Sequence, residues 1–259
     1  MRQPPPAGAR LRAVIFDVDG TLVDSERHGH RVAFNQAFAD LGLPDHWYED
    51  TYGDLLAVTG GQRRIDGWLA QRGVPEDERA RLAPALHARK TALFNELVAA
   101  GRVPARAGAG RLLAELAGAG VRLAVATTGS RGWVDHVLSR AAGGVAFEVV
   151  VTGDEVAERK PDPEAFTTAL QRLDLPASAA VAVEDSANGL RAAAAAGLAC
   201  AMVLNGYTAG DDVAGADLVL DGFGDPGQPA SVLADPHRTG CTGVLDLATL
   251  RKLVLRPGP

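Results

Sequence analysis

Short apolar runs recur along the chain, and each gives way to a polar or small residue. Ala13-Val14-Ile15-Phe16 ends at Asp17, just ahead of Gly20-Thr21. Four later runs share the form: Leu123-Ala124-Val125-Ala126, Val149-Val150-Val151, Ala180-Val181-Ala182-Val183 and Ala201-Met202-Val203-Leu204. Runs this short, without alternation, read as parallel strands buried on both faces. Between most of them lie stretches with helical spacing, at 110–119, 164–173 and 188–196. Strand alternating with helix predicts an α/β fold: an open, mostly parallel sheet with helices on both faces and a ligand site at the carboxyl ends of the strands. The polar residues that follow each strand are therefore the functional candidates.

One stretch departs from this rhythm. From Glu26 to Leu97 no strand-like run occurs, but helical periods do, as in Val32-Ala33-Phe34 with Ala37-Phe38, and Ile65 with Trp68-Leu69. The pattern predicts a helical domain at 26–99 inserted into a core made of 11–25 and 100–225. Residues 1–10, rich in Pro, Gly and Ala, read as a flexible leader. Residues 226–259 read as a tail: the run past Asp221 is loop-like, and 244–253 has the makings of a short helix.

The chain has 259 residues, 47% hydrophobic and 22% charged, enough for a large core with a small accessory domain. The net charge is −6, and no Lys/Arg cluster is longer than a pair, which argues against nucleic acid or an anionic membrane as the main partner. No apolar run approaches the roughly 20 residues of a membrane span, and MRQPPPAGARLR lacks a secretory signal, so a soluble cytoplasmic protein is expected. A monomer is expected too. Cys200 and Cys241 are too few and too far apart for a disulfide framework or a zinc site.

Asp17 and Asp19 stand two residues apart at a strand end, so their side chains share a side. Close carboxylates repel unless a cation lies between them or one is protonated. A hard ion such as Mg²⁺ relieves this and leaves one carboxylate as nucleophile and the other as acid or base. The pair alone is equally an acidic strand-to-turn junction. A second pair, Glu184-Asp185, follows the run ending at Val183 and shifts the balance towards one shared cation site. Thr127 and Thr128 follow another strand, where a hydroxyl and backbone N–H groups suit a phosphoryl oxygen. Lys160, before a Pro that stiffens its turn, suits neutralisation of nucleophile and phosphate. Taken singly, Thr127 is an ordinary strand-end hydroxyl and Lys160 a solvated charge; with both acidic pairs they form a set.

FDVDGTLVDS, AVATTGS, KPDPEAF and VEDSANGLRAAAAAG, in this order and spacing, resemble the four motifs of haloacid dehalogenase-like phosphatases. The helical insertion after the first motif resembles the small α-helical cap of the β-phosphoglucomutase-like branch. The resemblance implies a Rossmann-like core and a Mg²⁺-dependent reaction. In it Asp17 attacks phosphorus and becomes an aspartyl phosphate, while Asp19 protonates the leaving alcohol and then activates water. It further implies Mg²⁺ on Asp17, the Asp19 main-chain oxygen and Asp185, with Glu184 nearby, and a phosphoryl group held by Thr127, the Thr128 amide and Lys160.

Selection of a small phosphorylated metabolite then falls to the cap. Its candidates are His28 and His30, Arg64 beside Arg63, and Lys90, with Gly60-Gly61 permitting close backbone approach; each is equally at home on a solvated face. GHRVAFNQAF, YGDLLAVTGGQRRI, LHARKTALF and GYTAGDDVAGADLVLD resemble the CbbY-type phosphatases of the Calvin cycle, which act on xylulose bisphosphate. The chain departs from that group at Gln62, where Lys is usual. The same residues leave two alternatives open: a β-phosphoglucomutase-like mutase, and a non-catalytic binding protein on the same fold. A dinucleotide-binding reading fails, since no GxGxxG follows the first strand.

Overall fold

The computed structural model describes residues 10–58, 60–141 and 143–255. Residues 1–9 of the expected leader and 256–259 of the expected tail lie outside the described residues. The chain forms two compact units, Met1–Val23 with Ala105–Pro259, and Asp24–Pro104.

The smaller unit is helical. A π-helical turn (Glu26–His30) leads into α1 (Arg31–Asp40), followed by α2 (Glu49–Leu55), α3 (Gly61–Gln71) and the long α4 (Glu76–Ala99). Its core is aromatic: Phe34, Phe38, Trp47 and Tyr52 are all buried, and Trp47 lies within 4.7 Å of Phe34 and 4.9 Å of Phe38, centroid to centroid. Each such ring buries about 150–250 Å², which is how a unit this small retains a core.

The larger unit is a layered α/β structure. Its strands are β1 (Ala13–Phe16), β2 (Arg122–Ala126), β3 (Val149–Val151), β4 (Ala180–Glu184), β5 (Ala199–Val203), β6 (Leu218–Leu220) and β7 (Val232–Ala234). They form one sheet in the order β3-β2-β1-β4-β5-β6-β7, parallel throughout except for β7, which pairs antiparallel with β6. β1, β4 and β5 are buried at every position, as strands covered on both faces must be. The helices are α5 (Ala109–Gly118), α6 (Arg131–Ala141), α7 (Glu164–Leu173), α8 (Ala187–Ala195) and α9 (Leu247–Leu253). α7 and α8 cover the face that carries Ala13 and Ile15, with Ala165, Phe166, Ala169, Leu170 and Leu173 of α7 turned inward at helical spacing. α5 and α9 pack on each other and on β2 and β5.

The strand order reverses at β1: the chain runs outward to β2 and β3, then returns to β1's other side for β4. A doubly wound sheet opens its crevice at such a switch, outside the carboxyl ends of the strands. Two strands depart from the sequence reading. β6 is an apolar run of only three residues, and β7, exposed throughout and expected to be loop, owes its order to pairing with β6. Among the described residues no helix is long and apolar enough to cross a membrane.

Candidate active site

The last residue of β1 passes directly into Asp17, whose N–H donates to Val183 O at 3.0 Å and so seats it beside the end of β4. Gly20 turns the chain with φ +86°, and an added Cβ there would overlap Asp185 Oδ2, so both its handedness and its lack of side chain are needed. β4 ends in Glu184, and Asp185 follows. One carboxylate oxygen from each of Asp17, Glu184 and Asp185 lies within 4.8 Å of the other two, and the three residues are at most 5% exposed.

One cation is buried among them. Lys160 Nζ donates to Asp17 Oδ1 at 2.6 Å, to Glu184 Oε1 at 2.5 Å and to Ala126 O at 2.8 Å, using all three ammonium hydrogens, and its side chain is 5% exposed. Lys160 is therefore a buried member of the site and not a solvated charge. Burial would lower its pKa, but Asp17 and Glu184 push it above the ordinary lysine value. Burial raises Asp17 to about 7, against the pull of Lys160 and with the push of Glu184 and Asp19. Asp185 is raised well above its ordinary value by burial, then by Glu184 and Asp17, against the pull of the Thr21 hydroxyl and Arg106.

Three buried carboxylates thus face one ammonium. The deficit of positive charge, with donors that are all oxygen, fits a hard divalent ion rather than zinc or copper, which favour nitrogen and sulfur. Glu184 Oε2 accepts the Asp185 N–H at 3.1 Å, and Gly189 in the first turn of α8 leaves room for its carboxylate, which an added Cβ would overlap. Thr127 is fully buried at the end of β2, and its hydroxyl oxygen accepts the Gly129 N–H at 3.2 Å. Thr128 follows, half-buried, before α6 begins at Arg131. Asp19 lies within the electrostatic reach of Asp17, although its side chain is not among the carboxylates that cluster with Asp17.

Two further residues belong to this site. Thr21 Oγ1 donates to Asp185 Oδ1 at 3.0 Å, and Asn205 Nδ2 donates to Asp185 Oδ2 at 2.7 Å. Asn205 follows the apolar run ending at Leu204, so the strand-end rule reaches it as well.

In the helical unit, Lys90 and His30 are adjacent, Nζ to Nδ1 at 2.8 Å. His30 stacks on Phe94 at 3.8 Å, and Lys90 lies over the rings of Phe34 and Phe94 at 4.8 and 5.2 Å. Lys90 is buried and not on a solvated face. Burial, then Lys90 and His30, lowers the pKa of nearby His87. Arg64 is buried too, and its guanidinium closes the 55–58 turn: it donates to Leu55 O at 3.0 Å, Tyr52 Oη at 3.2 Å and Val58 O at 3.3 Å. Arg63 and Gln62 are exposed, and His28 lies 3.7 Å from Asp24.

A doubly wound sheet with buried acids, a buried lysine and a strand-end threonine at its switch point defines an enzyme built to handle phosphoryl groups. The sequence family described as haloacid dehalogenase-like hydrolase matches residues 11–197, and the chain belongs to it; it is a phosphatase of that family. It is 45% identical over 222 residues to protein CbbY of Cereibacter sphaeroides, covering 84% of this chain and 94% of that protein. It is 36% identical to a phosphoglycolate phosphatase of Cupriavidus necator, covering 81% and 88%. Among solved structures it resembles a mutant CbbY from Rhodobacter sphaeroides in complex with xylulose-(1,5)bisphosphate. There the TM-score is 0.69 and the identity 42%, over 82% of this chain and 94% of that one.

Proposed function

We propose that this chain is a Mg²⁺-dependent sugar-phosphate phosphatase, with a sugar bisphosphate such as xylulose bisphosphate as its preferred substrate and Asp17 as its covalent nucleophile. The observation that carries the reading is the Lys160 ammonium held between Asp17 and Glu184 at 2.6 and 2.5 Å. A fixed buried cation at that point holds Asp17 in place and meets the charge of an incoming phosphoryl group without reorganisation. Asp17, Asp185 and the Asp19 main-chain oxygen would hold Mg²⁺, with Glu184 alongside; the ion supplies charge neutralisation for the transferring phosphoryl group.

Asp17 attacks phosphorus in line, the ester P–O bond breaks, and the Asp19 carboxyl gives its proton to the leaving alkoxide. The Asp19 carboxylate then takes a proton from water, the water oxygen attacks phosphorus, and the bond to Asp17 breaks to release phosphate. Lys160, the Thr127 hydroxyl and the Thr128 amide hold the phosphoryl oxygens. Lys90, His30 and Arg64 of the helical unit are the residues proposed to select the substrate. Lys90, with His30 beside it, supplies a cation for a second phosphate, and Arg64, bonded to Leu55 O and Val58 O, shapes the 55–58 turn. The bisphosphate preference draws support from the complex of the 42% identical CbbY.

The test is phosphate release from a panel of sugar mono- and bisphosphates with Mg²⁺. A kcat/KM for a ketose bisphosphate at least about tenfold above the monophosphates is expected, a margin of about 1.4 kcal/mol. Isomer formation without phosphate release would replace hydrolysis by a mutase reaction. Failure to release phosphate from any member would defeat the reading.

A further inference from the structure

A single guanidinium gathers the backbone behind the turn that follows Asp17. Arg106 Nη1 donates to Gly20 O at 2.8 Å and to Val203 O at 2.6 Å, and Nη2 donates to Leu204 O at 2.6 Å. The Arg106 N–H donates to Leu22 O at 2.9 Å, so this one residue grips the stretch 20–22 at both ends. Val203 and Leu204 lie at the end of β5, and Asn205, next in the chain, also donates to Gly20 O, at 3.2 Å, while its second bond goes to Asp185. The Gly20 carbonyl is thereby shared by two donors that tie the β1 turn to the ends of β4 and β5. A guanidinium suits the task because its planar fork spans separated carbonyls that a point ammonium cannot serve together.

The guanidinium has a seat. Arg106 Cζ lies 5.7 Å from the centroid of Phe223, a fully buried ring. Phe223 is held by the Leu245 N–H, which donates to its carbonyl at 2.8 Å, and by Gly108, where an added Cβ would come within 2.8 Å of Phe223 Cβ. Arg111, in the first turn of α5, donates to Gly224 O at 2.9 Å and Leu245 O at 3.0 Å and fixes the same segment. Phe223 lies beyond the residues 11–197 that the family match spans.

We propose that Arg106 is a positioning residue for phosphoryl transfer: it fixes the Gly20 carbonyl against the ends of β4 and β5 and so holds Asp19 and Asp185 in register with Asp17, with Phe223 of the C-terminal segment as the plate that keeps its guanidinium in place. The inference rests on the phosphatase reading of the site. A contribution to the fold alone would lower thermal stability and leave turnover per folded molecule untouched. A positioning role lowers kcat and spares KM, since displacements of about 1 Å at such a site cost on the order of a hundredfold in rate.

The experiment measures kcat, KM and thermal midpoint for the full chain with Mg²⁺, on a phosphomonoester that the wild type hydrolyses, in Arg106→Ala, Arg106→Lys and Phe223→Leu. Arg106→Ala is expected to lose about 30- to 300-fold in kcat with KM within about threefold. Guanidinium ion at about 20 mM should restore at least about fivefold of the loss, and the same concentration of sodium chloride should not. Phe223→Leu should lose about three- to tenfold in kcat. Turnover per folded molecule within about twofold of wild type in Arg106→Ala overturns the inference, and so does a folded variant that guanidinium does not rescue. If the alanine variant does not fold, Arg106→Lys decides: a loss above about tenfold in kcat supports the inference and an unchanged kcat overturns it. A wild type inactive on every phosphomonoester would instead strike the phosphatase reading itself.

Discussion

Replacing Lys160 by Met keeps most of the side-chain volume and removes the ammonium that pairs with both Asp17 and Glu184. At 2.6 and 2.5 Å, each ion pair is worth about 6 kcal/mol of gross attraction at an effective dielectric of about 20. Desolvation of the partners offsets most of it, and the penalty for leaving a buried charge unpaired is about 3–5 kcal/mol. Met also leaves Ala126 O without the donor it has at 2.8 Å. The loss must depend on pH. Lys160 is pushed above the ordinary lysine value, so it stays charged from pH 5 to 8 and contributes no pH dependence of its own there. The orphaned carboxylates can escape their repulsion by protonation, which relieves about 1.4 kcal/mol per pH unit for each extra proton held. Metal-free Lys160→Met should therefore lose about 3–5 kcal/mol at pH 8 and less than half of that at pH 5, read from urea denaturation with EDTA present. Its kcat with Mg²⁺ should fall by about 10²–10³. A loss below about 1 kcal/mol at pH 8, or an equal loss at both pH values, refutes the electrostatic account of this site.

Gly189→Ala drives a methyl into the Glu184 carboxylate and should destabilise by about 1–3 kcal/mol; Gly67→Ala, in α3 with nothing within 4 Å, should instead stabilise by about 0.5–1 kcal/mol. Thermal or urea melts of both variants check the opposite signs. In the metal-free protein Asp17 titrates near 7 against an ordinary 3.8. The folded state then holds a proton that the unfolded state lacks across that window, so its contribution lowers stability as pH rises from about 4 to 7. Asp17→Asn should flatten that slope, and Mg²⁺ added at pH 6.5 should release protons, detectable by calorimetry in two buffers of different ionisation enthalpy. Asp19→Asn should lower kcat by about 10²–10⁴ and change Mg²⁺ affinity little, because the proposed ligand there is its main-chain oxygen; a large loss of metal affinity would reassign its side chain.

How much of the site is legible in the chain depends on how local its causes are. Asp17, Thr127 and Glu184-Asp185 each close an apolar run, and a parallel sheet sends the ends of such runs to one edge, so their meeting follows from the strand pattern. Asn205 obeys the same rule and was within reach of it. Lys160 follows no strand directly. Its burial depends on the turn before α7 delivering the ammonium to Asp17, Glu184 and Ala126 O, which local spacing does not disclose. Arg63 and Arg64 are indistinguishable by composition. Only the helical phase that sets Arg64 beside buried Ile65, one turn before Trp68 and Leu69, separates the buried guanidinium from the exposed one.

The sequence alone determined the alternation of strand and helix, the helical insertion and the residue types that gather at the strand ends, because periodicity and turn chemistry act over a few residues. Tertiary structure decided the rest: β7, ordered by pairing with β6; the enclosure of Lys90 and Arg64; and the grip of Arg106 on Gly20, Val203 and Leu204 from 86 to 98 positions away. Those features arise from packing between segments remote in the chain, where a charge becomes buried or a carbonyl finds its donor only after the sheet has assembled.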